Sequence, residues 1–144
     1  MKRLTITASF ALATVLASAG TSTDQKPLCF WIGGPAMLEY NFASMPLTLA
    51  AGAAPVDVSD SGSNSDSSVK IGWAVESFYY PGKSKSGLAV MARGGSADGH
   101  SYIGPGVFYV SRPHSGVGFR YGISFPFGSH VDHYVPEIAF GFQF

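Results

Sequence analysis

The stretch Val117-Gly118-Phe119-Arg120-Tyr121-Gly122-Ile123-Ser124-Phe125-Pro126-Phe127 alternates between bulky apolar residues and small or charged ones. Successive side chains of a β-strand point to opposite faces, so Val117, Phe119, Tyr121, Ile123, Phe125 and Phe127 form one greasy face. Arg120 lies on the other. The same phase runs upstream. Val69, Ile71, Trp73, Val75, Ser77 and Tyr79 oppose Lys70, Gly72, Ala74, Glu76 and Phe78, and Leu88, Val90 and Ala92 oppose Ala89, Met91 and Arg93. Ala36, Leu38, Tyr40 and Phe42 oppose Met37, Glu39 and Asn41, and Leu47, Leu49, Ala51 and Ala53 oppose Thr48, Ala50 and Gly52. Gly, Pro, Ser, Asn and Asp clusters separate these runs at hairpin spacing, which predicts an all-β, antiparallel, up-and-down fold.

Only 12% of the 144 residues are charged, 14% are aromatic, and the formal net charge is zero. A soluble domain of this size carries about twice that charged fraction, so much of this surface is expected to avoid water. The balance also excludes a nucleic-acid partner, which calls for a basic patch. Within the strands Glu39, Lys70, Glu76, Arg93, Arg120 and Glu137 all fall on the face opposite the greasy one. A charge facing hydrocarbon costs about 2 to 4 kcal/mol near a bilayer midplane, whereas inside a closed barrel opposite charges can pair. These six residues are therefore expected to form an interior ion-pair network.

Met1-Lys2-Arg3, the apolar run Leu4 to Leu16 and the small residues Ala17-Ser18-Ala19 read as an export signal cut after Ala19. Residues 20–144 then form one domain. The apolar run falls short of the roughly 20 residues of a spanning helix, and no later segment is long and apolar enough to be one. A membrane protein without spanning helices has one alternative, a closed barrel with every backbone group paired between strands. Cys29 is the one cysteine. It has no partner for an intramolecular disulfide and reads as a small packed hydrophobe.

The last segment sets Tyr134, Pro136, Ile138, Phe140, Phe142 and Phe144 against Val135, Glu137, Ala139, Gly141 and Gln143, and the sequence stops at phenylalanine. This final strand, with aromatic or apolar residues at every second position and a last Phe, resembles the assembly signal of bacterial outer-membrane β-barrels. Over the rest of the chain the likeness is one of pattern and size to the small eight-stranded type. The resemblance implies a transmembrane β-barrel in a Gram-negative outer membrane, with lipid and the barrel-assembly machinery as partners. Recognition by that machinery would fall on Tyr134, Phe140, Phe142 and Phe144.

Eight strands are expected: Lys26 to Ile32, Ala36 to Phe42, Met45 to Ala54, Ser68 to Tyr80, Gly87 to Arg93, Ser101 to Ser111, Gly116 to Phe127 and His133 to Phe144. With both ends on one side, the outer loops are Gly33 to Pro35, Pro55 to Ser67, Gly94 to His100 and Gly128 to Asp132. The inner turns include Pro81 to Ser86 and Arg112 to Ser115. Gly104-Pro105-Gly106 predicts a bulge, because proline cannot donate to the ladder. Seven strands with a loose amino-terminal segment is the alternative count.

Catalytic constellations are sparse. Ser129, His130 and Asp132 supply the residue types of a serine hydrolase, the arrangement by which some small outer-membrane barrels deacylate lipid A, but no nucleophile elbow surrounds them. His100, His130 and His133 are the metal candidates, without a specific ligand spacing. Asp57, Asp60 and Asp66 offer hard oxygens in a Ser-rich stretch that lacks calcium-loop spacing. No cofactor motif is present. An eight-stranded lumen is filled by side chains, which disfavours a diffusion channel. The leading expectation is a non-enzymatic surface barrel with a structural or interaction role through its outer loops. The alternatives are a lipid A-modifying hydrolase and a secreted soluble β-sandwich or ligand-binding barrel.

Overall fold

The computed structural model describes residues 26–59, 67–82, 85–112, 117–132 and 134–144. The expected export signal, residues 1–19, lies outside them. The strands are β1 (Leu28–Gly33), β2 (Ala36–Asn41), β3 (Leu47–Ser59), β4 (Ser67–Tyr79), β5 (Gly87–Ala97), β6 (His100–Ser111), β7 (Val117–Ser124), β8 (Phe127–Gly128), β9 (Val131–Asp132) and β10 (Val135–Gln143). Strands β1 to β7 and β10 are the staves of a closed antiparallel barrel. Each stave up to β7 pairs with the next, and β10 pairs with both β7 and β1. β1 is thus a full stave, and the barrel has eight.

Period-two alternation becomes burial alternation because the sheet closes on itself. In β6 every second residue is exposed, and Tyr102, Gly104, Gly106, Phe108 and Val110 between them are buried. A row of Cα partners follows the outer surface without a charge: Phe142, Phe30, Leu38, Ala51, Val75, Gly94, Ile103 and Phe127. Inside, Trp31, Phe78, Phe108, Met37 and Met91 are fully buried among the charged residues. Glycines make room for these rings. A Cβ at Gly141 would stand 2.7 Å from the Trp31 ring, and one at Gly122 2.6 Å from that of Phe108.

Several boundaries differ from the sequence reading. β3 runs through Pro55 to Ser59 and pairs with β4 as far as Ser67, so both described ends of the expected Pro55 to Ser67 loop belong to a ladder. Asp60 and Asp66 lie outside the described residues. β5 continues through Gly94 and Gly95 to Ala97, and the expected loop shrinks to Asp98-Gly99, both at positive φ (50° and 81°). Two such residues are the centre of the tight hairpin turn that matches strand twist.

No bulge forms at Gly104-Pro105-Gly106. The β5–β6 register is unbroken from Gly87↔Val110 to Ala97↔His100, and on the other side Gly106↔Ser124 and Ile103↔Phe127 share one register. A residue in an antiparallel ladder directs its N–H and C=O to the same neighbour, and the Pro105 carbonyl accepts from Phe125 N at 2.8 Å. The missing donor therefore faces β7 alone. The expected strand Gly116 to Phe127 stops there and resumes as β8, which turns through Ser129-His130 into β9.

Tyr40 and Phe42, expected on the outer face, are buried and packed edge to face with ring centres 5.1 Å apart. They sit at the near end of the barrel, where β1 begins and β10 finishes.

Candidate functional site

The barrel interior holds two charged clusters. In the first, Glu76 and Arg93 are cross-strand partners on β4 and β5. Arg93 Nε donates to Glu76 Oε1 at 2.8 Å, and its Nη1 and Nη2 donate to Glu137 Oε1 and Oε2 at 2.7 and 2.6 Å. Ser124 Oγ also donates to Glu137 Oε1 at 2.7 Å. One guanidinium thus bridges two carboxylates from opposite arcs of the wall. Bidentate, charge-assisted bonds of this kind are the strong class.

Arg120 joins differently. Its Nη2 lies 3.0 Å from Glu76 Oε2 without hydrogen-bond alignment, and none of its guanidinium nitrogens has a hydrogen-bond acceptor among the described residues. Its charge is instead surrounded by rings: Phe78 at 5.0 Å, Trp31 at 5.2 Å and Phe108 at 6.0 Å. Cation–π attraction strengthens when the cation is desolvated, as this one is at 1% exposure.

The second cluster closes the near end. Arg112 pairs with Glu39, donates to Asn41 Oδ1 at 3.0 Å and Tyr80 Oη at 2.8 Å, and lies over the Trp31 ring at 5.3 Å. Trp31 Nε1 donates to Glu39 Oε2 at 3.2 Å. Lys85 reaches in from the β4–β5 turn and donates to the Phe42 carbonyl.

Of the six residues expected inside, Glu39, Glu76, Arg93, Arg120 and Glu137 are buried there. Lys70 is a correction. Its phase is inward, but it sits on the part of β4 that rises beyond the far end, where its half-exposed amine pairs with Asp98 at 3.8 Å. Asn41 is inside, as its phase predicts, but joins Arg112 in a cluster that the six do not describe, and Arg112, Tyr80 and Lys85 are not among the expected interior residues. The even-numbered phase of β6 points to Arg112 and that of β4 to Tyr80. No periodicity points to Lys85.

Burial pushes the Lys85 amine down from the usual 10.5 to about 8, with Arg112 adding to the effect and Glu39 opposing it. Between those two pH values the unfolded chain holds a proton that the folded barrel has released. Unfolding free energy therefore rises with pH across that window, and Lys85→Met is expected to lose that part of the rise. Denaturant unfolding of both proteins at pH 8 and 10.5 measures it, and equal slopes would refute the burial of a charge at this turn.

At the far rim Ser129 and His130 are the exposed turn residues of the β8–β9 hairpin, with His130 at a φ of 69°. Asp132 lies in β9, opposite Phe127. His100 starts β6, and its ring centre is 5.0 Å from that of His130. His133 lies outside the described residues. Among the described residues no three His, Cys, Asp or Glu side chains converge as a metal cluster. Comparison with protein-family models, curated sequences and solved structures returns no match.

The interior carboxylates are tied to guanidinium groups, and the space between them is filled by rings. What this geometry supplies is rigidity and closure. Large apolar side chains face outward, while the paired charges lie inside among buried rings.

Proposed function

We propose that this chain is an integral outer-membrane β-barrel with a structural or surface-contact role and no catalytic one. The observation that carries the reading is the outer wall. Trp73, Leu88, Ile103, Ile138, Phe140 and Phe127, on five different strands, are each about half exposed or more. Soluble monomers rarely show contiguous apolar patches beyond a few hundred Å², whereas acyl chains cover such a wall at no cost. Tyr109, Phe119 and Tyr121 stack beside one another on it, with ring centres 5.6 to 6.3 Å apart. Such aromatic groups suit a membrane interface.

In this reading the near end faces the periplasm and the long β3–β4 and β5–β6 hairpins face outward. β10 is the strand for the assembly machinery to engage, through Tyr134, Phe140, Phe142 and Phe144, all exposed on the outer wall. Residues 1–19 serve as the export signal. The filled interior leaves a mechanical role or one played at the rim, rather than conduction.

The test is envelope fractionation followed by electrophoresis with and without boiling. The protein is expected in the detergent-extracted outer-membrane fraction, with an unboiled band that migrates apart from the boiled one. Recovery in the soluble fraction without detergent would overturn the reading.

A further inference from the structure

We propose that His100 and His130 form a two-histidine site for a divalent transition metal of the copper, nickel and zinc class, which clamps the β8–β9 hairpin to the barrel rim. The inference does not depend on whether the barrel lies in a membrane. The β6–β8 ladder pairs Ile103 with Phe127 and Tyr102 with Gly128, and the same register carried outward sets His100 opposite His130. Two otherwise separate segments, the start of β6 and a hairpin turn, thereby bring two imidazoles together.

The spacing of the rings fits a shared ion. A zinc–nitrogen bond is about 2.0 to 2.1 Å, and a ring nitrogen lies about 1.2 Å from its ring centre. Two imidazoles on one tetrahedral ion then have centres about 5.2 Å apart, and at a right angle about 4.6 Å. The ring centres here are 5.0 Å apart, with the planes inclined at 60°. Rotation about each metal–nitrogen bond leaves that inclination free.

Access is open as well. His130 is exposed and His100 half-buried on the rim, so an ion can reach the pair from solvent. The neighbouring charges, Lys70 and Asp98, are paired with one another.

The hairpin has something to gain from a clamp. Its Val131 is fully buried and belongs to the same apolar core as Val56 and Val58 of the overhanging part of β3, yet β8 and β9 are two residues each. An ion joining His130 to β6 fixes the turn that this contact leaves exposed.

The experiment titrates Cu²⁺, Ni²⁺ and Zn²⁺ into the untagged, folded barrel in detergent micelles, beside H100Q, H130Q and the double variant. Heat-shifted electrophoresis checks that each variant is folded. The expected result is saturable binding of one equivalent, tightest for Cu²⁺ as the general order of divalent affinities requires, and weakened about tenfold or more in each single variant. Two-nitrogen coupling in the Cu²⁺ electron paramagnetic resonance spectrum and a metal-dependent rise in Tm should appear in the parent protein alone. Binding of undiminished affinity in folded H100Q/H130Q, or a spectrum without two nitrogens in the parent protein, would overturn the proposal.

Discussion

Arg93→Met is expected to destabilise the folded barrel by about 3 to 5 kcal/mol, the cost of leaving a buried ion pair without one partner. Arg93 is 3% exposed and is the group that separates Glu76 from Glu137. Methionine matches the length of the stem but leaves two carboxylates facing each other in a closed interior. Arg93→Lys keeps the charge, yet a single ammonium cannot reproduce the fork that meets both carboxylates. It should fall between the parent protein and Arg93→Met. Adding Glu137→Gln to Arg93→Met should recover much of the loss, because Glu76 then keeps Arg120 as its counter-charge and no carboxylate is stranded. Urea unfolding of the refolded barrel in lipid vesicles, followed by tryptophan fluorescence, measures all four. A loss under about 1 kcal/mol for Arg93→Met would show that this network adds nothing beyond its volume.

The network illustrates how far the sequence can be read. Alternation gives the face on which Arg93, Glu76 and Glu137 lie, because period two is a local property of a strand. Which residues meet on that face depends on register and on height along the barrel, and neither is local. Lys70 shares the phase of Glu76 on β4 but lies six residues nearer the far end, so it clears the interior and meets Asp98 instead. Arg112 is the converse: a residue assigned to a turn that the continuing phase of β6 carries inward to Glu39.

The hairpins show the same division. Asp98-Gly99 is a strong turn signal, and it was overshadowed by Gly94-Gly95, which resembles a loop but lies within β5. At Pro105 the sequence shows a missing donor but not which neighbour lacks it. That depends on the hydrogen-bonding side, which is set by the ladder as a whole. The His100–His130 contact joins residues from two hairpins, and neither residue carries a local mark of the other.

The second large effect tests the environment of the outer wall. Val107 lies midway along β6, exposed, with Val90 and Ile123 as its cross-strand partners. Val107→Arg in the barrel folded into lipid vesicles is expected to cost about 2 to 4 kcal/mol, the depth-dependent penalty for a basic side chain at the lipid face near the midplane. Val69→Arg provides the comparison. Val69 is 69% exposed on the overhanging part of β4, opposite Asp57, and its substitution is expected to change stability by about 0.5 kcal/mol or less, as for an ordinary surface position. The two changes share their chemistry and their strand context, so the difference between them isolates what surrounds each site. In water an arginine at Val107 has no desolvation to overcome, and the two costs converge near zero. Convergence in vesicles would therefore place the wall in water and remove the membrane reading, whereas a gap of about 2 kcal/mol or more requires hydrocarbon around the middle of the barrel.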